Sequence, residues 1–187
     1  DVYKRQDNMK IAVFCSANDH IDPVYFEKTQ ELGNWMAEEH HDLVFGGCNL
    51  GLMDCIAKAV HQRGGRTIGV IPSIIEKNGK VSDAVDIEIP CDNLSDRKEL
   101  MLAQSDISIA LPGGVGTLDE IFSIVSAHSI GYHHHVVILY NINGFWDSLI
   151  ALLDDLTQKG MIRGDYHQQI KIAHSLDEIA HFINENA

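Results

Sequence analysis

Residues 106 to 117 read Asp-Ile-Ser-Ile-Ala-Leu-Pro-Gly-Gly-Val-Gly-Thr, an apolar run that turns through three glycines and opens a helical pattern at Leu118. With Ile107, Ile109, Ala110 and Leu111, Asp106 to Pro112 reads as an apolar strand. Such a strand is buried on both faces, as strands of a parallel sheet are. Strand, glycine-rich turn and helix together make one β-α unit, and the same grammar recurs on either side of it.

Toward the N-terminus, Lys10 to Phe14 is a short apolar run. It is followed by Asp22 as an N-cap and Pro23 at the first position of a helix running to about Glu39. Phe26, Thr29, Gly33, Met36 and Ala37 fall at spacings that give this helix one inner face. Asp42 to Phe45 is a second strand, followed by the turn Gly46 to Gly51 and a helix that stops at Gly64 and Gly65. Arg66 to Ile71 makes a third strand ending at Pro72. Ser73 to Asp83 reads as a loop, Val85 to Ile89 as a short extended piece, and Asn93 to Ser105 as a helix. Beyond the central unit, Val136 to Tyr140 is a further buried-type strand and Phe145 to Lys159 a helix stopped by Gly160. Ser175 and Glu178 form a capping box on a last helix, Ser175 to Asn184. Strands and helices alternate throughout. The expected fold is α/β, a doubly wound Rossmann-like parallel sheet with helices on both faces.

The chain has 187 residues, suited to one domain, which is expected to span residues 9–187. Residues 1–8 form a polar stretch before Met9 and are expected to be an extension outside the fold. The formal net charge of −13 argues against broad contact with nucleic acid or an anionic membrane, so an anionic ligand needs a local site. No apolar run approaches the roughly 20 residues of a membrane span, and the first residues lack the apolar middle of a signal peptide. A soluble, cytoplasmic protein is expected. Cys15, Cys48, Cys55 and Cys91 lie far apart without a C-x-x-C spacing, which favours reduced thiols. Cys48, inside a glycine-rich turn, is either a reactive thiol or a small packed hydrophobe.

In open α/β sheets, ligands bind beyond the carboxyl ends of the strands, where helix N-termini present free N–H groups. Two turns there are rich in glycine, Gly46 to Gly51 and Gly113 to Thr117, and each can bring backbone amides close to a phosphate. Neither is a P-loop, which needs Gly-Lys-Ser/Thr. The dinucleotide fingerprint is also missing, because the first strand leads into Cys15-Ser16-Ala17-Asn18. Glu120 follows Thr117 by three residues. This T-x-x-E either caps its own helix or places a carboxylate beside whatever the phosphate carries. Leu94, Arg97 and Met101 share a helix face, so the Arg97 guanidinium points inward toward an anion, snorkels, or pairs internally with a carboxylate. Lys98 faces the same cleft or solvent. The run His133-His134-His135 cannot chelate one ion from consecutive positions entering a strand, so no metal site is expected.

Pro112-Gly113-Gly114-Val115-Gly116-Thr117-Leu118-Asp119-Glu120 matches the P-G-G-x-G-T-x-x-E signature of the LOG (Lonely Guy) family, long labelled lysine decarboxylases. Arg97-Lys98 stands where that family has its R-K pair. Gly46-Gly47 with Gly51-Leu52-Met53 resembles its G-G-x-x-x-G-L-M turn, and Gly69-Val70-Ile71-Pro72 its G-V-I-P. The resemblance implies a phosphoribohydrolase. Such an enzyme cleaves the N-glycosidic bond of a nucleoside 5′-monophosphate, such as AMP or a cytokinin riboside 5′-monophosphate, to free base and ribose 5-phosphate. It implies Arg97 and Glu120 as the catalytic pair. It also implies substrate contacts from Lys98, Gly113, Gly114, Val115, Gly116, Thr117, Asp119 and Ser126, with Gly46 and Gly47 in the other glycine-rich turn. Neither a cofactor nor a metal is required, and a homodimer is expected. The segment Ser126 to His135 departs from the family's usual T-W-A-Q-L-G-I-H-x-K-P. A nucleotide carrier without turnover is the alternative function. A pyridoxal-phosphate lysine decarboxylase ranks third.

Overall fold

The computed structural model of the chain describes residues 8–186. The expectation for residues 1–7 lies outside the described residues. Seven strands form one sheet, β1 Lys10–Phe14, β2 Asp42–Phe45, β3 Thr67–Pro72, β4 Ile87–Cys91, β5 Ile107–Ala110, β6 Val137–Tyr140 and β7 Ile170–Ala173. Their order is β4-β3-β2-β1-β5-β6-β7, with every pairing parallel. The helices are α1 Pro23–Glu38, α2 Gly51–Gln62, α3 Ser73–Lys77, α4 Leu94–Ala103, α5 Val115–Ser129, α6 Asp147–Gln158 and α7 Leu176–Glu185.

The two-residue period of β1 shows how the sheet is covered. Ile11 and Val13 project into one core with Leu32 and Met36 of α1, Ile56 of α2 and Ile183 of α7. Ala12 and Phe14 project into the other, with Met101 of α4, Ile121 and Ile124 of α5 and Leu153 of α6. The doubly wound α/β architecture is therefore present, with helices on both faces.

Several boundaries differ from the sequence reading for local physical reasons. α1 begins as expected, with the Asp22 side chain accepting from Val24 N–H and proline at the first helical position. The segment read as a loop from Ser73 contains α3, one short turn of helix following Pro72. The extended piece lies at Ile87–Cys91, two residues later than expected, where β3 offers its free edge. β7 was not anticipated: it is four residues long, and Lys171 interrupts its apolar pattern. α5 starts at Val115 rather than Leu118, with Gly114 as the N-cap residue and no side-chain cap. The T-x-x-E is thus not a capping box, because Thr117 already lies inside the helix. On α4, Met101 is buried but Leu94 is 57% exposed, so the inward face does not extend back to Leu94.

Candidate active site

Chain order reverses between β1 and β5, neighbours in the sheet whose following helices pack on opposite faces. This is the switch point at which a doubly wound sheet opens a crevice. A cleft of about 490 Å³ lies there, lined by Cys15 to Asn18 after β1, Gly114, Gly116, Thr117 and Glu120 of α5, Arg97 of α4 and Met53 of α2.

One wall is the open end of α5. The helix's first backbone bond is Leu118 N–H to the Gly114 carbonyl, so the amides of Val115, Gly116 and Thr117 have no partner within the helix. Gly114 and Gly116 face open space, whereas Gly113 is occupied from behind: a Cβ there would collide with the Thr117 side chain. Val115 is 85% exposed and contributes only its backbone. Free amides and the positive helix end together favour an anion such as phosphate.

Arg97 closes the second side. Its Nε is buried and has no hydrogen-bond partner among the described residues. A buried guanidinium donor without an acceptor is costly, and an anionic ligand in the cleft would supply one. Glu120 sits deeper and is 6% exposed. Burial pushes its carboxyl up to about 7, against the pull of Arg97; Asp119 adds to the rise and Lys98 opposes it. A carboxylate near neutrality in a cleft marks a group suited to reaction rather than to packing. Cys15 lines the same wall as a neutral thiol, pushed well above its ordinary range by burial and then by Glu120.

Glu120 also borders a second, smaller pocket of about 150 Å³, whose walls are Phe14, Leu102, Ile124 and Ala127 with Lys98, Glu99 and Ser123 at its rim. Lys98 does not stand free: its Nζ meets the Asp119 oxygens at 2.9 and 3.1 Å. The two expected contacts are thus an ion pair that joins α4 to α5.

The first glycine-rich turn has a different role from the one expected of it. Gly46 and Gly47 are buried and do not line the cleft. Gly46 instead makes room for Arg97, since a Cβ there would stand 3.1 Å from Nη1. The Gly47 carbonyl accepts from Ser82 N–H at 2.8 Å, and the Gly51 N–H donates to Asp19 Oδ1 at 2.8 Å. The turn therefore braces its neighbours, with the Asn49 and Gly51 amides already committed. Cys48 is buried within it and bridges to Val81, so the packed-hydrophobe reading holds. Ser126 also falls elsewhere. It lies on a different face of α5 from Glu120, in a groove with Phe122, Leu153, Leu156 and Arg163.

Sequence reasoning missed the turn Cys15 to Asn18 as a site element. Its signal was indirect, because only the adjacency of β1 and β5 brings it opposite the second glycine turn. The four histidines 128, 133, 134 and 135 gather near the end of α5, with His128 and His133 ring centroids 5.6 Å apart. No group of His, Cys, Asp or Glu among the described residues could hold a metal ion. Likewise, among the described residues no helix is long and apolar enough to cross a membrane.

Residues 53–183 match the family model described as "Possible lysine decarboxylase". The cytokinin riboside 5′-monophosphate phosphoribohydrolase LOG7 of Arabidopsis thaliana is 35% identical over 153 residues, covering 82% of this chain and 70% of the relative. LOG2 of the same plant is 30% identical over 176 residues, covering 94% of this chain and 83% of the relative. Among solved structures, the molybdenum cofactor carrier protein from Chlamydomonas reinhardtii superposes with a TM-score of 0.74 at 23% identity, covering 96% of this chain and 98% of that one. The molybdenum cofactor binding protein from Rippkaea orientalis gives 0.70 at 24% identity, with coverages of 96% and 98%. The structural likenesses establish the fold, and the sequence matches, together with the P-G-G-x-G-T-x-x-E turn lining the switch-point cleft, establish that the chain belongs to the LOG family.

Proposed function

We propose that this chain is a phosphoribohydrolase that cleaves the N-glycosidic bond of nucleoside 5′-monophosphates, AMP or a cytokinin riboside 5′-monophosphate, releasing free base and ribose 5-phosphate. One observation carries the reading: Arg97, with a buried Nε unpartnered among the described residues, and Glu120, buried with its carboxyl pushed up to about 7, border one cleft beside the open N-terminus of α5.

In this mechanism the amides of Val115, Gly116 and Thr117 hold the phosphate, with Arg97 adding a charge-assisted bond. Glu120 lies one helical turn further along α5, about the distance that separates a 5′-phosphate from the anomeric carbon. As the C1′–N bond breaks, its electron pair leaves with the base and positive charge develops on the sugar. An ionised Glu120 stabilises that charge and accepts a proton from the water that adds to C1′. The base nitrogen takes up a proton, completing a hydrolysis that needs no other reactant. The apolar pocket beyond Glu120 suits the departing base or a substituent on it. Pinning the phosphate lets binding energy remote from C1′ act at the reacting carbon.

Incubation with a panel of nucleoside monophosphates, including isopentenyl-AMP, followed by chromatography of released bases, tests the reading. Wild-type-like release by Glu120→Gln or by Arg97→Ala would remove that residue from its role. A carrier that binds a nucleotide and returns it unchanged is the second reading, favoured by the carrier proteins that share this fold. It predicts tight AMP binding and no adenine. Homodimerisation belongs to the same proposal and is read by light scattering in solution.

Pyridoxal phosphate, which decarboxylation would require, does not fit the residues present. The lysine at the site, Lys98, is bound by both oxygens of Asp119. A Schiff base needs a lysine amine free to attack the cofactor's aldehyde, and this one is engaged across the α4–α5 seam.

A further inference from the structure

The turn after β1 is built more rigidly than a loop that merely closes a cleft needs to be. Ser16 N–H donates to the Pro112 carbonyl at 2.9 Å, and the Ser16 carbonyl accepts from Leu52 N–H at 2.9 Å. Ser16 Oγ accepts from Asn18 N–H at 3.0 Å, and Asn18 Oδ1 accepts from His20 N–H at 2.8 Å. These bonds fix which way both side chains present themselves. With its Oδ1 accepting from the backbone, Asn18 has its amide NH₂ to offer as a donor, and Ser16 keeps its hydroxyl proton. Both residues line the cleft, across from the amides of Gly116 and Thr117 and beside Arg97, whose Nε is buried and unpartnered.

We infer that Ser16 and Asn18 form a second bank of donors that binds the ribosyl 2′-hydroxyl of the ligand and makes the cleft selective for ribose over deoxyribose. The inference rests on the proposed reading of the cleft as a nucleoside monophosphate site, and names the group that reads the sugar. The phosphate is already provided for by three amides and a guanidinium. A sugar whose phosphate lies at Gly116 and whose C1′ lies at Glu120 must turn its remaining face to another wall, and the β1–α1 turn is the wall opposite. A hydroxyl can accept from Asn18 Nδ2 and from the Ser16 O–H. A site that bonds a substrate hydroxyl rejects the analogue lacking it, because its own polar groups are then left unpaired.

Two measurements on the full chain test this. Calorimetric titration with ribose 5-phosphate and with 2-deoxyribose 5-phosphate should show the ribose sugar binding at least about tenfold more tightly. Asn18→Ala and Ser16→Ala should each weaken ribose 5-phosphate while leaving the deoxy sugar and inorganic phosphate nearly unchanged. Base release from AMP and 2′-deoxy-AMP should show the same collapse of preference. Equal binding of the two sugars by the wild type, or equal losses for both in the variants, would overturn the inference. Asn18→Asp, which replaces the donor by a carboxylate at nearly constant shape, should fail as Asn18→Ala does; wild-type behaviour would also overturn it. A wild type that discriminates the sugars but releases no base would sink the hydrolase reading and leave this one standing.

Discussion

Lys98 Nζ grips both carboxylate oxygens of Asp119, at 3.1 and 2.9 Å, and so ties the helix carrying Arg97 to the helix carrying Glu120. Each partner is the chain neighbour of a proposed catalytic group. The pair is partly exposed, so it adds little to stability by itself. Its consequence is electrostatic, because the two charges act on Glu120 with opposite sign.

That opposition makes the pH profile a test of which form of Glu120 works. With Glu120 pushed up to about 7, and ionised in the reaction, kcat/KM should rise with pH through that value and level off above it. Lys98→Met removes a charge that lowers Glu120 and frees one that raises it, so the rising limb should move to higher pH. Asp119→Asn does the reverse and should move it lower, each by roughly half a unit given solvent screening. Movement of both limbs in one direction would contradict this arrangement.

The same burial destabilises the fold above neutrality. A carboxyl whose folded pKa, about 7, lies above its ordinary 4.5 binds its proton more tightly folded than unfolded. Stability therefore falls as pH rises from 4.5 to 7, and the loss persists above that. Glu120→Gln removes the ionisation at nearly constant shape. Thermal unfolding should show the variant about 1–3 kcal/mol more stable than wild type at pH 8 and indistinguishable near pH 4. For a group proposed to act in catalysis, opposing stability is a common trade for function.

His41 acts in the opposite direction over an overlapping range. Its Nδ1 accepts from Met9 N–H at 3.1 Å at the start of β1, which requires the neutral ring, and burial pulls its pKa below the usual 6.5. A histidine lowered on folding stabilises the protein above its unfolded pKa, and that contribution is lost as pH falls below about 6.5. In wild type the Glu120 effect masks this. In the Glu120→Gln background the melting temperature should therefore fall on going from pH 7 to pH 5, and His41→Gln should flatten that slope.

The alternation of apolar runs with capped helices made the sheet legible from sequence. β1, β2, β3, β5 and β6 lie where unbroken apolar stretches placed them, since a strand buried on both faces announces itself. β7 did not, because four residues with Lys171 among them carry too weak a signal. The signature residues were readable as a unit, but their partners across the cleft were not. Cys15 to Asn18 oppose Gly114 to Thr117 only because β1 pairs with β5, a relation between segments nearly 100 residues apart that no local pattern encodes. The two glycine turns looked alike in sequence. Their difference lies in whether the amides are already bonded, as at Gly51, or open, as at Gly116.

That difference separates the glycines by experiment. At Gly51, with φ +60°, a Cβ would stand 2.6 Å from Ala17 C and Asn18 N and 2.7 Å from Ser16 O, all backbone atoms that cannot yield without moving the β1–α1 turn. Gly51→Ala should therefore lower stability by about 1–3 kcal/mol and disturb the cleft as well. A Cβ at Gly46 meets only the Arg97 guanidinium tip and the Met53 sulfur, at 3.1 and 3.4 Å, so Gly46→Ala should fold well and lose turnover through a displaced Arg97. Gly116 has nothing within 4 Å and sits in the first turn of α5. Gly116→Ala should leave stability unchanged or raise it by about 0.5–1 kcal/mol, while phosphate-bearing ligands bind more weakly because the added methyl fills the approach to the amides. Paired melting curves and AMP titrations for the three variants read these outcomes. A Gly116→Ala protein with intact AMP affinity would move the phosphate away from the end of α5 and reopen the assignment of Glu120 one turn beyond it.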